Sequence, residues 1–248
     1  MLKITNWNVE RVLPGSKRSQ RITEKFQENP SNLWILTETH RDICPDSAFS
    51  SAFSGPHESP AEEGEHMCAI WAPYPITSLN SYLPDTARCA AARYDHPKYG
   101  GILIFACVLP WLSGNWRGIP TKGGAAFSSA LQEFREVWKK LKKDFPSDTL
   151  IFAGDFNQNL NDRHYYGSAN QRAMLEGFLK EEDMIALTGY ENDPVSRDSH
   201  PHACIDHICI PKDSPFTLVS SERWPNTPKP DKTFSDHFAT TVNLQSIK

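Results

Sequence analysis

Nowhere does this chain hold an apolar run of the roughly 18 residues that a bilayer-spanning helix requires. Its N-terminus, Met1-Leu2-Lys3-Ile4-Thr5-Asn6-Trp7, lacks the charged head and apolar stretch of a signal peptide and reads as a first strand. An excess of positive charge is missing too: 26 lysines and arginines stand against 30 aspartates and glutamates, a net charge of −4. That argues against a protein built to coat nucleic acid. It leaves room for a nuclease, because a local basic rim and a bound cation can supply the field without a positive total. The six cysteines, Cys44, Cys68, Cys89, Cys107, Cys204 and Cys209, form no CxxC pair and no zinc-finger spacing. Cys68, Cys107 and Cys209 lie in apolar runs, where a reduced thiol is simply a small core residue. A cytoplasmic protein with no membrane partner is the expectation. No repeat and no linker divides the 248 residues, so one domain over 1–248 is expected.

What the chain has instead is a succession of short apolar runs. Strands are expected at 2–9, 33–37, 68–71, 87–94, 102–109, 150–153, 184–187, 205–210 and 238–244. Helical spacing appears at 19–27, through Ile22 and Phe26, and at 128–143, with Ser128 or Ser129 as its cap. It returns at 172–180 through Met174, Leu175 and Phe178. Residues 54–65 and 114–124, rich in glycine, proline and polar residues, read as loops. Lys139, Lys140, Lys142 and Lys143 fall on the back of the second helix and read as a solvated face. Many strands with few helices predict two packed sheets flanked by helices, not a parallel βαβ array.

Polar clusters sit at the ends of these strands. They are Trp7-Asn8-Val9-Glu10, Thr37-Glu38-Thr39, Gly154-Asp155-Phe156-Asn157, Ile205-Asp206-His207-Ile208 and Ser235-Asp236-His237-Phe238. Asp155 and Asn157 alternate with Phe156 and so share one face. Gly154 permits a close approach of backbone to a ligand. An acceptor carboxylate beside a donor amide suits the activation of water next to a phosphate, although Asp and Asn also favour plain Asx turns. Gathered in one place, such Asn, Glu, Asp and His side chains are what a hard divalent cation and a phosphate ester require.

In this order and from the first strand to the last, the five clusters resemble the endonuclease/exonuclease/phosphatase superfamily, whose fold is that of pancreatic deoxyribonuclease. The resemblance implies an α+β, four-layer α/β sandwich: two packed mixed β-sheets flanked by helices. It implies hydrolysis of a phosphate ester with one or two divalent cations, Mg2+ or Mn2+. Carried over by position, Glu38 resembles the principal metal ligand, with Asn8 and Asp236 in the metal shell. Asn6 would face the same way but matches the motif less well. Asp155 resembles the residue that orients or deprotonates the attacking water, and Asn157 one that touches the phosphate. Asp206 resembles the family's second acid, which pairs with a histidine or the leaving group. His237 resembles the imidazole that stabilises the transition state, and Asp236 is also placed to orient it. His207 reads as structural.

The chain departs from the family where many members carry a phosphate-contacting histidine or tyrosine, because that strand ends Cys107-Val108-Leu109-Pro110-Trp111. His164, Tyr165, Tyr166, His200 and His202 are replacement candidates. The loop at 110–124 holds Trp111, Trp116, Arg117 and Lys122, a set that can stack a base and hold a phosphate or can clasp the loop onto the core. Family resemblance leaves three functions open: a nuclease acting on DNA or RNA, a phosphatase acting on a small phosphorylated molecule, and a catalytically silent binding module.

Overall fold

The computed structural model describes residues 1–57, 62–161, 163–196, 202–227 and 229–247. Four strands lead the chain, β1 (Leu2–Asn8), β2 (Leu33–His40), β3 (Ser50–Phe53) and β4 (Glu65–Ala72), with helix α1 (Lys17–Glu28) between the first two. Next come β5 (Ile76–Ser78), β6 (Cys89–His96), β7 (Gly100–Val108) and a small hairpin of β8 (Asn115–Trp116) and β9 (Ile119–Pro120). Helix α2 (Ala125–Asp144), β10 (Thr149–Asp155), helix α3 (Ala169–Glu181), β11 (Met184–Ala186) and β12 (Asp206–Pro211) follow. The chain closes with β13 (Phe216–Trp224) and β14 (Ala239–Ser246).

These strands build two six-stranded sheets, ordered β13-β14-β1-β2-β4-β3 and β11-β12-β10-β7-β6-β5. Each sheet has one parallel pair at its centre, β1 with β2 and β7 with β10, and antiparallel neighbours outside. Helices α1 and α2 make the two crossovers that parallel pairing demands. The carboxyl ends of β1, β2 and β10 therefore open at one end of the sandwich, where loops leave side chains free for a ligand.

Strand alternation explains the layers. Ala90, Ala92, Ala106 and Ala153 face the other sheet with Ile4, Ile35, Ile70 and Val108, and these small residues let the sheets approach. The alternate residues Phe105 and Phe152 point outward and pack with Phe134, Trp138 and Phe178 from α2 and α3. On the far side Trp7 and Trp34 hold Phe26 of α1. Each such aromatic stabilises the fold by roughly 1.5–3 kcal/mol through burial. The result is the four-layer α+β sandwich that the resemblance implied.

Local boundaries differ in instructive ways. Helix α2 starts at Ala125, not near Ser128, because buried Ala126 and Phe127 extend its apolar face. Its N-cap is Gly124 in a left-handed conformation, and no serine caps it. Ser16 and Ser168 do cap α1 and α3, accepting from the backbone N–H groups of Ser19 and Gln171. The strands β3, β5 and β13 lie outside the expected set, and each forms an edge of its sheet. Among the described residues all six cysteines are free and only Cys44 is not buried. Lys139 and Lys142 lie on the exposed back of α2, paired with Glu136 and Glu182. No helix among the described residues is long and apolar enough to cross a membrane.

Candidate active site

Asn8 ends β1 with its side chain buried between the sheets. Its amide Nδ2 donates to Glu38 Oε1 at 3.0 Å and to Asp155 Oδ2 at 3.1 Å, joining a residue of each sheet. Its Oδ1 accepts the Glu10 N–H at 2.8 Å, which fixes the amide orientation. Asn8 therefore aligns two carboxylates and turns its oxygen away from them. Glu38 adopts φ 48°, which swings its carboxylate out of the strand's alternation towards Asn8. Glu10, Arg11 and Asn157 also have positive φ, so four of the seven non-glycine residues with this conformation among the described residues crowd one region. Strain of this kind, about 1–3 kcal/mol per residue, concentrates where a site is held in place by its surroundings.

Asp155 ends β10, and Asn157 follows through an Asx turn in which the Asn157 N–H donates to Asp155 Oδ1 at 2.9 Å. The turn and the site coexist: Asn157 Nδ2 donates to the Leu109 carbonyl at 3.0 Å, pinning the turn to the end of β7. Gly154 acts differently from its sequence reading. At φ +140° it faces the neighbouring strand, where an added Cβ would lie 1.9 Å from the Cys107 carbonyl oxygen. The close approach is strand to strand and not backbone to ligand. Asn6 is a staple: its Nδ2 donates across the sandwich to the carbonyls of Gly154 at 2.9 Å and His207 at 3.3 Å.

Asp206 begins β12 directly opposite Asp155. Its Oδ2 accepts from His237 Nδ1 at 2.7 Å, so Asp206 orients the ring. Asp236, the other residue placed for that task, is half exposed, with Oδ1 3.8 Å from His237 Nε2. Sequence reasoning gave no role to Ser235. It is fully buried, donates from Oγ to the Asn8 carbonyl at 2.7 Å and accepts the His237 N–H at 3.0 Å. The serine before Asp236-His237 was visible as a turn former; the strand it fastens to was not. Thr240 similarly donates to the Asp206 carbonyl at 3.0 Å. His207 is buried and bonded to the Gln158 carbonyl at 2.9 Å and Thr188 Oγ1 at 3.3 Å, on the face away from the cleft. Burial holds its pKa down.

Among the replacement candidates, Tyr165 and Tyr166 line a cavity of ≈ 180 Å³ with Asn157, Asp206, Asp236 and His237. His202 meets the Tyr165 hydroxyl at 2.7 Å on the wall of a larger neighbouring cavity. His164 lies away from both, and His200 falls outside the described residues. Trp116 is fully buried and donates to Glu133 Oε2 at 3.0 Å, with Arg117 on the other oxygen of the same carboxylate. That part of the loop is a clasp and cannot stack a base.

Electrostatics follow from this crowding. Burial, helped by the Asp206 and Glu38 charges and opposed by His237, lifts the Asp155 carboxyl to about 7. Burial lowers the His237 pKa, but Asp206, with Asp155 and Asp236, outweighs it and lifts the ring to about 10. The raised pKa favours the protonated, hydrogen-bond-donating form of the ring. Asp155, Asp206 and His237 each bring one ligand atom within 4.8 Å of the others, a group that could hold a metal ion. Asp206 and Asp236 line the cavity, Asp155 lies opposite Asp206 and Asn8 joins Asp155 to Glu38; with Asp206 Oδ1 buried and unpartnered, these carboxylates present the oxygen-rich, negative surroundings that a hard divalent cation satisfies.

Comparison with known proteins agrees. The Endonuclease/Exonuclease/phosphatase family matches residues 5–237. No curated protein matches the chain in sequence. Among solved structures, the endonuclease domain of TRAS1, a telomere-specific non-LTR retrotransposon, aligns with a TM-score of 0.66 at 14% identity, covering 100% of this chain and 99% of that one. The mannosyl-6-phosphatase of Bacteroides thetaiotaomicron VPI-5482 gives 0.67 at 14% identity, over 99% of this chain and 100% of that one. A 3′-5′ exonuclease from Neisseria meningitidis gives 0.64 at 18% identity, over 98% and 99%. Identities this low establish the shared fold alone. The family match itself runs from β1 to His237 and takes in every residue of the network, so the chain belongs to the Endonuclease/Exonuclease/phosphatase family, whose members are metal-dependent phosphoester hydrolases.

Proposed function

We propose that this chain is a divalent-metal-dependent nuclease, a phosphodiesterase acting on DNA or RNA. The observation that carries the reading is the continuous network Glu38–Asn8–Asp155 beside the Asp206–His237 pair, spanning both sheets at the carboxyl ends of their parallel strands. Glu38 and Asp236 are the carboxylates assigned to the cation, with Mg2+ preferred and Mn2+ competent because all the donors are oxygens. When bound, the cation supplies a Lewis acid that polarises the phosphoryl group and offsets its developing charge. Asn8 holds Glu38 and Asp155 in register. Asp155, buried and raised to about 7, accepts a proton from the attacking water near neutral pH. Asn157 presents its amide beside that water. His237 has Nδ1 committed to Asp206, so Nε2 faces the cleft and donates to a non-bridging oxygen of the phosphorane-like transition state.

A polymer substrate is favoured by what lies beside the site. The ≈ 180 Å³ cavity adjoins one of ≈ 890 Å³ lined by Tyr165, His202, Thr227, Lys229 and Lys232, with Asp231 and Asp236 also on its wall. Aromatic rings beside lysines suit a stacked base and the next phosphate. The net charge of −4 favours the second reading, a phosphatase acting on a small phosphorylated molecule. A silent binding module is disfavoured by the complete set of carboxylates and the oriented histidine. Six free thiols, five of them buried, support a reducing compartment such as the cytoplasm.

The test is turnover with Mg2+ or Mn2+ on plasmid, single-stranded DNA, RNA and a panel of phosphomonoesters, alongside Glu38→Ala and Asp155→Ala. Cleavage of a polynucleotide that falls about 10²–10⁴-fold in Asp155→Ala is expected. Turnover of monoesters alone sinks the nuclease reading, and no turnover with either metal sinks the enzyme reading.

A further inference from the structure

The row of residues that carries Asp155 has one more member. Asp206 pairs with Asp155, and Asp155 with Val108. Beyond Val108 the ladder reaches Arg88, whose carbonyl accepts the Val108 N–H at 3.0 Å. Residues in register on adjacent strands project from the same face of a sheet. Ala90 and Ala92 lie in the inter-sheet core with Ala106, Val108 and Ala153, so Arg88 leaves the sheet on the side of Asp155. Across the gap, the Cys68 thiol donates to the Arg88 carbonyl at 3.3 Å. Cys68 pairs with Thr37, and Thr37 with Asn8. Two rows thus face each other at the open end of the sandwich, Asn8–Thr37–Cys68 and Asp206–Asp155–Val108–Arg88.

Among the described residues Arg88 is a buried cation without an anion. It is 7% exposed, its Nη1 is buried with no hydrogen-bond partner, and no described residue forms an ion pair with it. Asp85, the nearest acidic residue in sequence, turns its Oδ1 to the Ala87 N–H instead. The guanidinium stacks on Trp111, 4.8 Å from the ring centroid. Trp111 is held in turn by its bond to Ser113 Oγ at 3.0 Å and by Gly114, where a Cβ would come within 3.0 Å of the indole. A buried charge without a partner is costly, and a positioned one marks a place where an anion arrives. Two strand spacings, about 10 Å, separate the Arg88 and Asp155 backbones. An arginine and an aspartate bridge that span with a phosphate between them.

We infer that Arg88 is a phosphate-binding residue of this site, its planar fork taking two non-bridging oxygens of the scissile phosphate from the side opposite His237. The inference rests on the phosphoesterase reading and supplies the contact that β7 lacks, since Val108 and Leu109 end that strand with apolar side chains.

The experiment titrates inorganic phosphate into the 248-residue chain with Mg2+, by calorimetry, for wild type, Arg88→Met and Arg88→Lys. The methionine keeps the stem over Trp111, and the lysine keeps the charge without the fork. Phosphate affinity is expected to fall about 10- to 100-fold in Arg88→Met, the scale of a charge-assisted hydrogen-bond pair, and by less in Arg88→Lys. Added guanidinium should restore part of the turnover of bis(p-nitrophenyl) phosphate to Arg88→Ala, a recovery that a merely structural arginine does not give. If Arg88→Met unfolds, the lysine variant decides, and wild-type affinity there overturns the inference. Wild-type affinity in Arg88→Met, or no phosphate binding by the wild type, overturns it as well. Turnover by the wild type together with unchanged phosphate binding in the variants removes Arg88 alone and leaves the phosphoesterase reading standing. Arg88-dependent phosphate binding with no turnover of any ester keeps the anion site and removes that reading.

Discussion

Replacing Gly154 with alanine should damage stability and activity together, and the structure sets the size of both effects. The added Cβ would sit 1.9 Å from the Cys107 carbonyl oxygen and 2.9 Å from the Cys107 nitrogen. An ordinary contact needs roughly 3.4 Å, so β7 and β10 must part by about 1.5 Å in a close-packed sheet. Overpacking of this kind costs about 1–3 kcal/mol. The φ of +140° adds about 1–3 kcal/mol for any residue with a side chain. A loss of about 2–6 kcal/mol is expected, or on the order of 10 °C in Tm for a chain of this size. Gly154 precedes Asp155 and its carbonyl accepts from Asn6, so the same shift displaces the carboxylate by about 1 Å and should cost about 10²-fold in kcat at temperatures where the variant is folded. Urea unfolding and plasmid cleavage at 15 °C measure the two. A variant within about 1 kcal/mol of wild type, below the cost of overpacking, or a destabilised variant with full activity, would refute the reasoning.

Three further predictions test the supports of the site. Removing Asp206 as Asp206→Asn strips His237 of its main partner. In EDTA the ring, near 10 in the folded protein against its ordinary 6.5, should then titrate much closer to neutrality by NMR. The stability this raised pKa confers is fully present below about pH 6.5 and lost as pH rises through about 10, and the variant should show little of that dependence. Ser235→Ala loses one buried donor to Asn8 and one acceptor for His237, and should lower stability by about 1–3 kcal/mol and kcat more than it raises KM, read by unfolding and steady-state kinetics. Trp116→Ala empties the clasp against Glu133 and Phe134 and should cost about 3–5 kcal/mol in urea unfolding while KM for a polynucleotide stays near wild type.

Much of this was legible because the central strands are long apolar runs that end in polar residues. Leu150-Ile151-Phe152-Ala153 before Asp155 and Leu33-Trp34-Ile35-Leu36 before Glu38 can only be buried strands opening onto a site. Edge strands carried no such signal. In β13, Phe216–Trp224, only Phe216 and Ser221 are buried, so the run reads as polar and its partner β14 had to define it. The start of α2 was hidden because two glycines before Ala125 look like a loop while serving as a left-handed entry to a helix. Site residues were found where a motif showed them, and their partnerships were not. That Asn8 turns its amide N–H groups to two carboxylates, that Asn6 crosses between sheets and that Gly154 yields to a neighbouring strand all depend on contacts distant in the chain, from Asn8 with Glu38 across 30 residues to Asn6 with Gly154 across 148. Arg88 was missed for a plainer reason: a single basic residue heading an apolar strand looks like any surface arginine until the strand order is known.

The central claim is that one metal-dependent site joins Glu38 to Asp155 and His237. The most direct measurement is the rate of plasmid nicking in Mg2+ and in Mn2+, with and without EDTA, for wild type, Glu38→Ala, Asp155→Ala and His237→Ala. Nicking by the wild type that EDTA abolishes, and that each variant loses by about 10²-fold or more, is the predicted result. Nicking that persists in EDTA, or that survives intact in any of the three variants, would contradict the account.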